Sequence, residues 1–168
     1  KEIRDRAFYN CTGLTSVTIP DSVRNIGNGA FQGCTGLTSA NIPDSVTVIG
    51  AYAFTGCTAL TSVSIPDGVS EIGSAAFWGC TGLTSVSIPE SVSTVGNGAF
   101  RICTNFAVVV VKHPDAAFQR NTFEGCSRLS FAVVPPAMAA AARSWYFGEC
   151  PLLGPRDVVP WSGGAARR

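Results

Sequence analysis

The chain has one histidine and one methionine among 168 residues, only 14% of it is charged, and no apolar run reaches the length of a membrane span. Each shortage removes a class of function. The single histidine, His113 in "VKHPDAAF", stands beside Pro114 and Asp115 and reads as a solvated loop residue, not as a general base or zinc ligand. A net charge of +1 gives no footprint for nucleic acid or an anionic membrane, both of which call for a clustered basic face. Lys1, Arg4 and Arg6 alternate with Glu2 and Asp5, Arg167 and Arg168 end the chain, and the middle is nearly uncharged. The stretch "FAVVVVK" is far short of the roughly 20 apolar residues that insertion needs, so no membrane insertion is expected. Serines and threonines recur in columns instead of singular positions, and no glycine motif for phosphate is present. The sequence therefore reads as non-enzymatic, without cofactor or metal.

What the chain does have is a period. Cysteines stand at positions 11, 34, 57, 80, 103, 126 and 150, each with a phenylalanine three residues before it, from Phe8 to Phe147. Copies such as "CTGLTSVTIPDSVRNIGNGAFQG" from Cys11 and "CTALTSVSIPDGVSEIGSAAFWG" from Cys57 share almost every column. A fixed period of 23 residues describes units that cannot bury an apolar face alone and must stack. Leu14, Val17, Ile19, Val23, Ile26, Ala30, Phe31 and Cys34, with their equivalents, are the inward positions. Alternation predicts a strand over 16–19 that Pro20 ends. The glycines at 27, 50, 73 and 96 are expected to hold a φ that other residues disfavour. "NGAFQGC" has room only for a helical or 3₁₀ turn.

The pattern L-x-x-V-x-I-P-x-S-V-x-x-I-G-x-x-A-F-x-G-C resembles the BspA-type leucine-rich repeat, over roughly residues 1–134. The resemblance implies a leucine-rich-repeat solenoid with a parallel β-sheet on the concave face and short strands and 3₁₀ or helical turns on the convex side. It also implies a scaffold for adhesion or protein binding, displayed at the cell surface, with no catalytic residues to carry over. The first residues, "KEIRDRAFYNC", align with the middle of a repeat, so the chain is expected to be a fragment of a larger protein, and its compartment is not readable from it. After Pro135, "PPAMAAAARSWYFGEC" replaces the usual repeat text, and its alanines predict one α-helix near the C-terminus, over 135–147. A degenerate strand is expected around 157–159. Residues 1–160 are read as one solenoid, with 135–160 as its diverged last repeat or cap and 161–168 as a flexible tail.

Seven cysteines invite a reading as disulfides or a metal site, and their regularity opposes both. An odd count on parallel side-chain vectors does not pair, and a linear ladder does not converge into a tetrahedron. Each is expected to be a small buried hydrophobe. The carboxylates Asp21, Asp44, Asp67 and Glu90 form a column after the proline, one per repeat; calcium needs six to eight converging oxygens, so a turn-forming role fits better.

Three surface features stand out. Outward positions of the first four strands include Thr15 and Thr18, Thr38 and Asn41, Thr61 and Ser64, Thr84 and Ser87, a hydroxyl-rich and nearly uncharged strip. Unit duplication with the high β-propensity of Thr accounts for it; a repetitive ligand, a polysaccharide or an ice surface, is the alternative. In the fifth and sixth strands the outward residues become Val108 and Val110, then Phe131 and Val133. That apolar strip is either a protein interface or a surface covered by the C-terminal cap. Finally, Trp78 lies in a variable column one place after each Phe, and Tyr52 projects from the same turn region; these form a third candidate rim.

Overall fold

The computed structural model describes residues 1–136, 139, 146–147, 150–154 and 156–160. They form a parallel solenoid in which two β faces share one core. One face begins with β2 (Ser16–Thr18), β4 (Ser39–Asn41) and β6 (Ser62–Val63), paired in that order. It is followed by β8 (Ser85–Ile88), β10 (Val108–Val111), β12 (Phe131–Val134) and β13 (Val158–Pro160), again in parallel neighbours. The second face is a six-stranded parallel sheet of two-residue strands: β1 (Glu2–Ile3), β3 (Asn25–Ile26), β5 (Val48–Ile49), β7 (Glu71–Ile72), β9 (Thr94–Val95) and β11 (Ala117–Phe118). Register advances by one repeat at every step, as in Ser16↔Ser39↔Ser62 and Ile26↔Ile49↔Ile72.

The inward columns are those the sequence marks. Leu37, Ile42, Val46, Ile49, Ala53, Phe54 and Cys57 are buried, and so are their equivalents up to Cys103; in the coil after it Asp115 is exposed and Phe118 half-buried. Leu14 and Val17 of the first coil are only half-buried, having a neighbour on one side. The Phe column is a continuous stack, with ring centroids 5.1 Å apart for Phe31 and Phe54 and 5.2 Å for Phe54 and Phe77, the planes nearly parallel. It runs without a gap from Phe8 to Phe147. Offset stacking adds to the burial of each ring.

Turn backbone between the faces is satisfied in two directions. The Cys34 N–H donates to the Phe31 carbonyl at 3.1 Å within its own coil, while the Phe31 N–H donates to the Ala53 carbonyl of the next coil at 2.7 Å. This alternation leaves the turns as regular as the sheets and meets the requirement that buried amides be paired.

One expectation is corrected. The glycines at 27, 50, 73 and 96 do not hold a left-handed φ. What they supply is the missing Cβ: an added Cβ on Gly50 would lie 2.7 Å from the Ile26 oxygen, and one on Gly96 2.4 Å from the Ser74 nitrogen. Coil backbones approach too closely there for a side chain. The left-handed residues form two other columns, Arg6, Gly29, Tyr52, Ala75, Gly98 and Asn121, and Asn10, Gly33, Gly56, Gly79, Ile102 and Gly125. The helix expected over 135–147 falls mostly on 137–138 and 140–145, which lie outside the described residues; within that stretch the described Pro136 and Ala139 are helical. One helical-type bond is present, from the Ala139 N–H to the Pro135 carbonyl at 2.9 Å. The tail 161–168 also lies outside the described residues. The strand expected around 157–159 is present as β13, with Val159 in register with Val133.

Candidate functional site

Pairing of β2 through β13 sets the outward side chains of the longer-strand face in two rows. Position by position, the first row reads Ser16, Ser39 and Ser62, then Ser85, Val108 and Phe131. The second reads Thr18 and Asn41, then Ser87, Val110, Val133 and Val159, with Ser64 falling between the two groups. The rows change from hydroxyl to hydrocarbon at the same step, between β8 and β10.

The hydroxyl half is less available than the sequence implies. Thr15, Thr38, Thr61 and Thr84 are exposed, but the Thr38 hydroxyl donates to the Thr15 carbonyl at 2.9 Å and the Thr84 hydroxyl to the Thr61 carbonyl at 3.5 Å. These side chains tie coil to coil instead of presenting a lattice of free hydroxyls. Thr18, Asn41, Ser64 and Ser87 remain exposed. Beside Asn41 and Ser64 runs a shallow depression of about 740 Å³, bordered by Asp21, Asp44 and Asp67 of the carboxylate column. No His, Cys, Asp and Glu cluster able to hold a metal occurs among the described residues.

The apolar half is partly exposed. Val108, Val110 and Val133 are half-buried, while Phe131 is 40% and Val159 37% exposed. The C-terminal strand does not fold back over them; β13 pairs beside β12 and carries the sheet one strand further, adding Val159 to the strip. Sequence reading missed Val159, because the text around it no longer follows the repeat. Its distance of 26 residues from Val133 hides a register that only the pairing reveals.

On the turn side, Tyr52 and Trp78 are 48% and 41% exposed and border one depression of about 480 Å³, together with Arg101. Arg101 is held by Glu124 through a salt bridge of 2.9 Å. His113 is half-buried, and its Nδ1 accepts the Asp115 N–H at 3.0 Å, a local turn contact.

The cysteines serve inside the stack. Each thiol from Cys34 to Cys150 donates to the carbonyl of the Phe one coil and three residues earlier, at 3.0–3.2 Å. Burial pushes the Cys57 and Cys150 thiols up to about 12 and Cys80 well above the ordinary range, with neighbouring thiols adding to the effect. For Cys126 side-chain hydrogen bonding with Cys103 is the leading cause of the rise, ahead of burial. All seven are thiols, not disulfides, and the six beyond Cys11 are buried. The buried six are therefore hydrogen-bonded groups of the core.

Similarity to solved structures agrees with this geometry. A leucine-rich repeat protein from Bacteroides ovatus is 32% identical with a TM-score of 0.75, over 95% of this chain and 43% of that one. The Treponema pallidum leucine-rich repeat protein is 32% identical with a TM-score of 0.77, over 93% of this chain and 72% of its own. A leucine-rich cell surface protein from Faecalibacterium prausnitzii, 23% identical with a TM-score of 0.62 over 98% of this chain and 52% of that one, shares the fold. The chain thus spans less than half of the Bacteroides protein it resembles. No curated protein matches it. The BspA-type leucine-rich repeat region is matched in six copies across residues 1–150, and with a core, register and period to match, the chain belongs to that family.

Proposed function

We propose that the chain is a non-enzymatic binding and adhesion scaffold, part of a larger surface-displayed protein, which engages a partner protein through the apolar end of its longer-strand face. The observation that carries the reading is the shared switch of both outward rows to Val108, Val110, Phe131 and Val133, left open by a C-terminal strand that extends the sheet and adds Val159. A contiguous exposed apolar strip on an otherwise polar surface marks an interaction site. Its rim is polar, with Ser85 and Ser87 on one side. That arrangement, an apolar centre bordered by hydrogen-bonding groups, is the anatomy of a protein interface. Residues 1–160 act as one solenoid, with 135–160 as its diverged closing repeat. Leucine-rich repeat proteins are generally scaffolds, which supports the non-enzymatic reading, and cell-surface display follows from the family resemblance.

The experiment is adhesion of beads coated with the chain to cell monolayers treated with trypsin or with periodate. Adhesion is expected to survive periodate, to be lost after trypsin, and to fall about tenfold with Phe131→Asp or Val110→Asp. Adhesion that withstands Phe131→Asp and disappears with Thr38→Lys and Thr61→Lys assigns the function to the hydroxyl strip and a polysaccharide, and contradicts the proposal.

A further inference from the structure

We propose that the turn side carries a saccharide-binding site built on Tyr52, Trp78 and Arg101, separate from the apolar strip. The depression there has a volume of about 480 Å³; Tyr52, Trp78 and Arg101 border it, Ser74 and Asn97 add polar groups, and the small residues Ala75 and Gly98 leave the space between them. That volume lies within the range of small-molecule sites.

Two neighbouring columns build it. Trp78 and Arg101 are successive members of the column that follows each Phe, so their side chains leave adjacent coils in the same direction. Tyr52, Ala75 and Gly98 are successive members of a left-handed column. Other coils put Gly29, Gly98 and Asn121 in that column, residues that tolerate a positive φ, and also Arg6 and Ala75. Tyr52 holds φ +58° with a bulky ring, a conformation that costs on the order of 1–3 kcal/mol. The backbone is pinned there from both sides: the Tyr52 N–H donates to the Ser74 carbonyl at 2.9 Å, and the Tyr52 carbonyl accepts the Thr55 N–H at 3.1 Å. The turn imposes a positive φ on every member of the column, and at this coil the residue that bears it carries a ring 48% exposed.

The chemistry of the rim selects the ligand. Two aromatic faces are open to stacking, and neither ring stacks on another among the described residues. Around them stand a phenol, an indole N–H, a hydroxyl, a carboxamide and a guanidinium, the last fixed by Glu124 while its side chain stays 43% exposed. A pyranose presents an apolar C–H face to such rings and a circle of hydroxyls that both donate and accept. A nucleotide would need uncompensated positive charge for its phosphate, and here the guanidinium is paired in a chain of net charge +1. An apolar peptide anchor would need aliphatic walls, and the only aliphatic side chain of the depression is the methyl of Ala75.

The test is affinity electrophoresis of the whole chain through gels containing dextran, mannan, xylan, galactan, pectin or hyaluronan. At least one gel is expected to retard the protein, with apparent Kd raised about tenfold or more by Trp78→Ala. Tyr52→Gly is expected to lose the same retardation while raising the melting temperature, because it relieves the left-handed strain; this separates loss of the site from loss of the fold. Phe131→Asp is expected to leave retardation intact. Failure of every polysaccharide to retard the native chain overturns the site, as does retardation that persists in both Trp78→Ala and Tyr52→Gly. Retardation lost through Thr61→Lys alone overturns it as well, by moving binding to the hydroxyl strip.

Discussion

The thiol of Cys57 donates to the carbonyl oxygen of Phe31 at 3.2 Å, and the same oxygen accepts the Cys34 N–H at 3.1 Å. One acceptor thereby links the turn of its own coil to the core of the next. Repeated along the stack, this arrangement explains why cysteine recurs where any small hydrophobe would fit by volume. Cys57→Ala is expected to cost about 1–3 kcal/mol, from the lost bond and the space left beside Phe54, as measured by denaturant unfolding. A cost near zero would reduce the thiol to a spacer.

Alkali is expected to weaken the stack. Burial holds the folded thiols of Cys57, Cys80 and Cys150 above the usual thiol range, so the unfolded chain loses these protons first. A raised folded pKa contributes stability that is complete below pH 9 and declines as pH rises from there toward the folded value, by about 1.4 kcal/mol per pH unit for each fully buried thiol. Unfolding free energy measured from pH 8 to 11 is expected to fall, and to fall less steeply in a Cys57→Ala Cys80→Ala variant. In the native state a thiol reagent is expected to label Cys11 and leave the rest.

Glycine columns give a paired prediction. Gly50→Ala would put a Cβ against the Ile26 oxygen and Asn28 nitrogen, both under 3 Å away, and is expected to destabilise the fold by more than about 2 kcal/mol. Ile102→Gly should act in the opposite direction. Ile102 is a β-branched residue at φ +60°, in a column otherwise filled by Asn10 and four glycines, so relief of strain is expected to gain about 1 kcal/mol in thermal unfolding.

Phe54→Ala, within the unbroken ring stack, is expected to cost about 3–5 kcal/mol, since it leaves a cavity between Phe31 and Phe77. An unchanged melting temperature would undo the inward assignment of the column.

The core was legible because its period is written in large residues: Phe, Leu, Ile and Cys recur at fixed offsets, and burial follows them. The strand beginning at Ser16 was legible from alternation ended by Pro20. Two-residue strands such as Asn25–Ile26 were not, because two residues carry no period, and their regularity comes from the coils on either side. The role of Gly27 and its equivalents was misread because glycine answers two needs, a positive φ and a missing Cβ, and only the distance between coils separates them. Where the repeat text is lost after Pro135, the helix that alanine propensity predicts falls mostly outside the described residues, while the degenerate "DVVP" still forms a strand because β12 offers an edge to pair with. Among candidate site residues, Phe131 is exposed and Val110 half-buried, and the Thr38 and Thr84 hydroxyls are spent on neighbouring carbonyls.

The central claim is that the strip from Val108 to Val159 is an apolar surface open to a partner. Fluorescence of 1-anilinonaphthalene-8-sulfonate with the native, fully folded chain tests it most directly. The account predicts saturable enhancement by the native protein, reduced several-fold by Phe131→Asp and by Val110→Asp, and unchanged by Thr61→Lys. No enhancement by the native chain, or equal enhancement by Phe131→Asp at the same melting temperature, would contradict it.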